Sequence, residues 1–494
     1  MGNILSKWTE RITQNRIWKS IFRHGYPDTE LNQSLVMYTN LFLHIQPVKV
    51  HKNVLRPSYT LSLGLISFIL FLVLVITGIY LMFYYVPSVD RAYNDMKELQ
   101  FVVSFGIFLR NLHRWSAHGM VAAVFLHMCR VFYTASYKPP REFNWVLGVI
   151  LLIVTFGLSF TGYLLPWDQL AFWAITVGTS IASYAPIIGQ KLRYFLLGGN
   201  IVGQNALLRF YVLHCVVLPS VAAVLIGIHF WRIRKDGGLS KPAEKLKQEE
   251  KFEELQEEGL SPKGTSKTYG LMELVKGATI PVEQEPENEI MSWPHLIFRE
   301  FLVAIVVLVV LIAISLFFNA PLEELANPSE PPNPAKAPWY FLGLQELVSY
   351  SAFIGGVITP FLVVFALLMA IPYIDYRAED VGIWFSSKKG RLIALITATL
   401  TLISIPVLIF LNMKYGIRVF YPDAPSILVD LINPGTILIG VTAVISIIIG
   451  VRTKSWRLAA MMIFTSFVTG FIVLTVIGTL FRGPNWEFVF PWKG

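Results

Sequence analysis

Uncharged runs of about 18 residues or more recur eight times along the chain, at 61–85, 144–167, 210–231, 301–319, 351–374, 392–413, 434–451 and 458–481. As a helix, each is long enough to cross about 30 Å of hydrocarbon. A further segment, roughly 107–136, has the same length but carries Arg110, Arg114 and Arg130; it makes a ninth span, its arginines lying near the ends. Two polar stretches interrupt the series. Residues 239–290 mix Lys241, Lys245, Glu249, Glu253 and Glu257 at three- and four-residue offsets, the pattern of a solvated helix and tether. Asn319 to Lys336 is rich in proline and asparagine and leads into Pro338-Trp339-Tyr340-Phe341, aromatic residues suited to a membrane interface.

Composition agrees with this pattern. Of 494 residues, 54% are hydrophobic and only 15% charged, and the mean hydropathy is +0.56, which excludes an ordinary soluble globular protein. The expectation is an all-α polytopic membrane protein. Eight Lys/Arg precede residue 61, whereas the first loop after that span holds only Arg91 and Lys97. With nine spans, the basic loops at Lys138/Arg141, Arg232/Arg234/Lys235, Lys388/Lys389/Arg391 and Arg452/Lys454/Arg457 all fall on the side of the N-terminus. By the positive-inside rule that side is cytoplasmic. The net charge of +9 is then topology and lipid contact, and nucleic-acid binding need not be invoked. No cleavable signal sequence is expected, because the first apolar run follows a basic, partly amphipathic leader. Cys129 and Cys215 lie inside spans, and no Cys-x-x-Cys-His occurs, so neither a disulfide framework nor a c-type haem attachment is expected.

Within two of the spans stand four histidines, His113 and His127 in one, His214 and His229 in the other. On a helix a 14-residue step returns to within about 40° of its starting direction after about 21 Å, and a 15-residue step to within about 60° after about 22 Å. Each helix therefore presents two imidazoles on roughly one face, one near each membrane surface. If the helices face each other, His113 pairs with His214 and His127 with His229, giving two bis-histidine haem cages stacked across the bilayer. A helix–helix hydrogen bond or a proton relay is the alternative for any single histidine; zinc would want three or four ligands at one point. Gly64 and Gly78, and Gly148 and Gly162, repeat the 14-residue period, and glycine admits a bulky partner such as a macrocycle against the backbone. Taken alone, such glycines pack helices. Arg110, Arg114 and Arg130 suit haem propionates, although arginines at helix ends also snorkel. Pro219 should kink its helix and adjust the 15-residue spacing.

Arg110-x-x-His113-Arg114-Trp115, His127-x-x-Arg130, Gly162-Tyr163-x-x-Pro166-Trp167-Asp168-Gln169, Arg209-Phe210-Tyr211-x-x-His214 and His229-x-x-x-Ile233-Arg234-Lys235 resemble the signatures of the cytochrome b subunit of quinol:cytochrome c reductases, the cytochrome bc complexes. The resemblance covers roughly residues 40–236, in wording closest to the chloroplast-type branch. Residues 290–415 resemble a fused C-terminal, subunit IV-like part, mainly through Pro338-Trp339-Tyr340. It implies two non-covalent b-type haems, the outer held by His113 and His214 and the cytoplasmic one by His127 and His229. It further implies a quinol-oxidising site between residues 163–174 and the Pro338-Trp339-Tyr340 loop, with Pro166, Trp167, Ala174, Pro338 and Trp339 around the quinol. One electron would pass to a Rieske iron–sulfur protein and the other through both haems to a quinone near the cytoplasmic face, generating proton-motive force. A c-type cytochrome subunit, a homodimeric complex and a bacterial cytoplasmic membrane complete that picture. It divides the chain into a leader (1–60), a dihaem four-helix core (61–236), a charged linker (237–292), a C-terminal cytochrome b part (293–415) and two extra spans with a tail (416–494), the last of no assigned role.

Departures from the family pattern locate the open chemistry. The family loop usually reads Pro-Glu-Trp-Tyr, its glutamate taking a quinol proton, but here Ala337-Pro338 precede Trp339. Glu346, seven residues on and about two turns along one helix face, is the substitute acceptor expected, a structural carboxylate being the alternative. Tyr163, Tyr340 and Asp168 are further polar candidates, with interfacial anchoring open for both tyrosines. Ser62 stands where the chloroplast-type branch has the cysteine of an extra haem, so no covalent haem is expected. Ala174 replaces a glycine of mitochondrial relatives, where added bulk obstructs methoxyacrylate-type inhibitors. Arg234, Lys235, Asp236, Arg299 and Glu300 are positional candidates for the cytoplasmic quinone site. Two rival functions are a dihaem anchor of another quinone-linked dehydrogenase without a Rieske partner, and a transporter using histidines as proton relays.

Overall fold

The computed structural model describes residues 7–8, 11–21, 27, 29–40, 42–240, 289–377 and 380–490. The chain is an all-α polytopic membrane protein, and among these residues nine long helices stand at the places the apolar runs mark. They are α1 (Leu63–Met82), α3 (Gly106–Tyr133), α4 (Glu142–Leu164), α7 (Gln204–Lys235), α8 (Ser292–Phe317), α10 (Ile354–Ile374), α11 (Lys388–Tyr415), α12 (Pro434–Thr453) and α13 (Trp456–Leu480). Shorter helices lie in the loops between them: α2 (Ala92–Phe101), α5 (Gln169–Ser183), α6 (Gly189–Leu197) and α9 (Trp339–Tyr350). The solvated helix expected within 239–290 lies outside the described residues, apart from the ends of that stretch.

α1, α3, α4 and α7 form a four-helix bundle. α1 packs along α3 and α4 along α7, and Phe68 of α1 meets Phe230 of α7 edge to face at 5.1 Å, which closes the ring of helices. α8 covers α3 from outside the bundle. Its exit is fastened by the end of α3 that the charge pattern assigns to the outer side: Asn111 Nδ2 donates to the Ser315 carbonyl at 2.9 Å and Trp115 Nε1 to that of Phe318 at 2.8 Å. The entrance of α8 is fastened differently. Lys49–His51 and Glu289–Met291 pair as an antiparallel two-stranded ribbon, Val50 opposite Ile290, and Ser292 N–H donates to the Val48 carbonyl. Sequence assigned these segments to the leader and the linker; three residues on each side carry too little periodicity to mark a strand.

The third span ends earlier than its apolar run. α4 stops at Leu164, and Trp167 takes a left-handed backbone at φ 54°, turning the chain into α5. Asp168 caps α5 by accepting from Ala171 N–H at 2.9 Å, as an N-cap aspartate should.

The last two spans join the rest of the molecule through two buried polar clusters. At the end that the charge pattern assigns to the cytoplasm, Lys138 Nζ lies 3.2 Å from Asp375, whose other oxygen accepts from Tyr137 at 2.5 Å. Arg457 of α13 donates to Tyr137 Oη and to the Phe132 carbonyl, each at 2.9 Å. At the outer end Arg482 holds Glu346 of α9 through two bonds of 2.5 and 3.0 Å; Tyr350 Oη and Trp486 Nε1 donate to the same carboxylate at 2.6 and 3.0 Å. The tail, to which the sequence assigns no role, folds back on its own chain, with Phe488 stacked 3.9 Å from the Arg482 guanidinium.

Glu346 is fully buried, so Arg482→Ala would leave an uncompensated charge. That change should destabilise the protein by about 3–5 kcal/mol, read as a lower midpoint of thermal unfolding. Arg482→Ala combined with Glu346→Gln should recover part of the loss, and an additive double variant would contradict the pairing.

Candidate functional site

The four histidines meet as two opposed pairs inside the bundle. The rings of His113 on α3 and His214 on α7 have centroids 6.2 Å apart and planes 75° apart. Two imidazoles bound to one metal ion at about 2 Å from each nitrogen would place their centroids at about that separation. In this pair Nδ1 is engaged: His113 with Thr77 Oγ1 at 2.9 Å, His214 with the Leu158 carbonyl at 3.0 Å. Such bonds fix the ring and leave Nε2 for a ligand. In the second pair His127 lies against Gly64 and His229 against Gly148, and His127 Nδ1 is buried without a hydrogen bond among the described residues. Among these residues no three His, Cys, Asp or Glu side chains converge as a metal-binding group, which argues against a zinc centre.

Each of the four glycines faces one of the four rings. A Cβ on Gly78 would stand 3.2 Å from His113 Cε1 and one on Gly64 3.1 Å from His127 Cε1, whereas on Gly148 it would lie 3.8 Å from His229. At Gly162 the added carbon would meet the His214 ring at Cε1 and stand 2.9 Å from both its nitrogens. The expected macrocycle clearance is thus first of all a seat for imidazole. The same contacts sort the pairs by depth: Gly64, His127, Gly148 and His229 toward one surface, Gly78, His113, Gly162 and His214 toward the other.

The 15-residue spacing on α7 has a local cause. Over Leu213–Val217 the helix bonds in the π register, Leu218 N–H reaching the Leu213 carbonyl. Pro219 lacks an N–H and removes an ordinary helical bond at this place, and a π-bulge absorbs one extra residue. Fifteen residues therefore return His229 to the face that 14 return His127 on α3.

Of the arginines expected at propionates, Arg110 is already committed, donating to the carbonyls of Ala320 and Pro321 at 2.8 and 2.7 Å. It ties the outer loop to α3, and the propionate expectation is not met there. Arg114 lies over the Tyr163 ring at 5.1 Å and lines a small recess with Pro166, Asp168 and Glu323. Arg130 donates Nε to the Tyr59 carbonyl at 3.0 Å, while its buried Nη2 has no partner among the described residues. The glycine cradles, the opposed rings and this orphaned nitrogen fit a pair of b-type haems. Among the cytoplasmic candidates Glu300 accepts from Gln46 at 2.9 Å, and Arg234 and Arg299 donate to the carbonyls of His44 and Leu55; all three tie spans to the leader.

Beside the outer pair opens a cavity of about 840 Å³, and Tyr163, Ala174, Pro338 and Tyr340 line it. Burial raises the Tyr340 phenol above its ordinary value, with Arg114 opposing. Trp167, Asp168, Trp339 and Glu346 do not line it. Asp168 spends both oxygens on backbone, Oδ1 on Ala171 and Oδ2 on Glu323 N–H at 3.1 Å. Burial pushes its carboxyl up and those two bonds pull it back. It is a cap and clamp, contrary to the catalytic expectation. Glu346 is held by Arg482, Tyr350 and Trp486 as described, so the expected proton acceptor is instead a structural carboxylate. Sequence gave His118 no role, yet its Nδ1 faces Trp339 Nε1 at 2.9 Å, its Nε2 faces Arg114 Nε at 3.0 Å, and its ring meets Tyr340 at 5.7 Å. A neutral imidazole offers one lone pair in its plane, so indole and guanidinium compete for it. The i, i+4 relation to Arg114 was the available signal.

A family model described as cytochrome b/b6/petB matches residues 48–237. The cytochrome b6 of Heliomicrobium gestii is 43% identical over 185 residues, 37% of this chain and 87% of that protein; that of Auxenochlorella protothecoides is 46% identical over 174 residues, 35% and 81%. A chain of a solved structure titled hyperthermophilic respiratory Complex III superposes with a TM-score of 0.58 at 23% identity, over 94% of this chain and 98% of that one. This last likeness is one of fold, and it takes in most of the C-terminal helices for which sequence offered no counterpart.

Overpacking at the His214 cradle is the sharpest test of the paired rings. Gly162→Ala should lose the haem of that pair, while Gly148→Ala, with ordinary clearance, keeps its own. Reduced-minus-oxidised spectra and haem extraction per polypeptide read the difference; equal retention in both variants would falsify the seating.

Proposed function

The chain belongs to the cytochrome b/b6 family, and on that premise we propose that it is the cytochrome b subunit of a membrane quinol:cytochrome c oxidoreductase. In this reading quinol is oxidised at the outer end, one electron leaving to a Rieske iron–sulfur partner and on to a c-type cytochrome. The other crosses the bundle to a quinone near the cytoplasmic face of a bacterial inner membrane. The observation that carries the reading is the apolar cavity lined by Tyr163 and Tyr340, where Tyr163 adjoins the Gly162 seat of His214 and lies under Arg114. A simple dihaem anchor needs no such chamber.

When bound, two b-type haems supply one-electron carriers at two depths of the bundle. The protein's share is to hold and orient. His113 and His214 would hold one haem and His127 and His229 the other; Arg114 and Arg130 are the cations left to face propionates. Phenols of Tyr163 and Tyr340 at the cavity's outer end orient a quinol hydroxyl, and the apolar wall excludes water. His118, accepting from the Trp339 indole, holds that side of the loop against α3 and meets the Tyr340 ring, which keeps Tyr340 beside the bundle. In the same reading 61–236 is the haem-holding core, 293–415 supplies the loop, and the complex is a homodimer.

Purification of the intact complex tests this. The expected result is b-type absorbance reducible by quinol, with a Rieske protein and a c-type cytochrome among the subunits. Absence of a Rieske protein would overturn the electron routing while leaving the histidine pairs standing. Because Ala174 adds bulk to the cavity wall, inhibition by methoxyacrylate-type compounds should be weak. A steady-state titration giving potent inhibition at low dose would contradict that placement.

A further inference from the structure

The cavity is far larger than a quinol ring. A space of about 150 Å³ suffices for benzene, and this one is about 840 Å³. It is also long: Ile463 and Leu474 of α13 both line it, a separation of about 16 Å on an α-helix. Its polar groups are unevenly placed. Tyr163, Gln345 and Tyr340 belong to the outer end, whereas the deeper part is walled by Leu152, Phe464, Phe467 and Ile371. The hydroxyls of Thr442 and Ser466 on this wall lie 3.5 Å apart and satisfy each other.

The deep wall comes largely from the last two spans. Leu438, Thr442 and Ala443 of α12, and Phe464, Phe467 and Gly470 of α13, line it. These helices are fixed in place by Arg457 at one end and Arg482 at the other, so the chamber has rigid sides. Among the described residues Lys336 is the one charged residue on the lining, and its ammonium donates to the Thr479 carbonyl at 2.9 Å. The described residues of the deep wall offer no cation for the phosphate of a phospholipid. A narrow occupant with one polar ring and a long linear run of apolar units matches the gradient.

We propose that α12 and α13 form a chamber for the polyisoprenoid tail of the quinol, continuous with the head-group site. This rests on the quinol-oxidising reading and assigns residues 434–474 a role in substrate selection. The deep wall then acts on binding of long-tailed quinols and is indifferent to short ones.

The test uses the intact complex in membranes, with quinols of one head group and a graded tail from decyl to the native length. For the unaltered protein, KM should fall as the tail lengthens and then level off. Ala443→Phe and, as a second filling variant, Gly470→Val should raise KM for the long-tailed quinol by about tenfold, the effect of roughly two displaced CH2 groups. Both should leave KM for the decyl quinol and the haem spectrum unchanged. A Cβ on Gly470 has ordinary clearance, its nearest neighbour Ile405 lying at 3.6 Å, so that variant folds if the first does not. Equal effects on short and long quinols, no effect on either, or a KM independent of tail length in the unaltered protein each overturn the chamber. Phospholipid retained in the purified complex together with tail-independent KM assigns the space to lipid and overturns it too. Failure of the unaltered complex to oxidise any quinol would instead sink the functional reading on which the proposal stands.

Discussion

Burying four imidazoles in an apolar bundle is the constraint from which most of this structure follows. A polar ring in such surroundings is costly unless its nitrogens are engaged, and a ring held against a neighbouring helix needs that helix to present no side chain. Residue choice meets the first condition at the outer pair and the second at all four rings. Thr77 and the Leu158 carbonyl take up the Nδ1 atoms of the outer pair, and Gly64, Gly78, Gly148 and Gly162 leave the four seats clear. The four helices cannot slide or rotate independently without driving a ring into a backbone. The π-bulge before Pro219 is part of the same adjustment, since it brings His214 and His229 to one face despite their extra residue.

A second constraint is how a long C-terminal half is kept in register with that bundle. Buried ion pairs are weak as sources of net stability but costly to break, which suits them to fixing one arrangement. Lys138, Asp375, Tyr137 and Arg457 tie the cytoplasmic ends of three segments together. Arg482 and Glu346 do the same at the outer end. Between these two clasps the apolar cavity lies against α4, α5, α9, α10, α12 and α13. The loop helix α9 is thereby positioned from behind, by a carboxylate that faces away from the cavity, while His118 and Trp339 fasten it in front.

Three polar site candidates are occupied by distant partners for one physical reason. Asp168, Arg110 and Glu346 are each polar, buried and close to the outer site, which is what sequence could register. Whether such a group is free depends on where nearby backbone carbonyls, N–H groups and distant cations fall. Asp168 is taken by Glu323 N–H, 155 residues away, and Glu346 by Arg482, 136 residues away. Arg110 is taken by carbonyls 210 and 211 residues on. No local pattern records those partners.

By itself the sequence determined what depends on length and period: nine long helical segments, two histidine pairs and the glycines that share their spacing. These are properties of single helices in a membrane, where 1.5 Å per residue and 3.6 residues per turn turn position directly into depth and face. Only the tertiary structure decided which polar groups are spoken for, that the tail returns to clasp α9, that Lys49–His51 and Glu289–Met291 pair, and that the last two spans wall a cavity. Those features arise from contacts between residues more than a hundred positions apart, and periodicity carries no information across such distances.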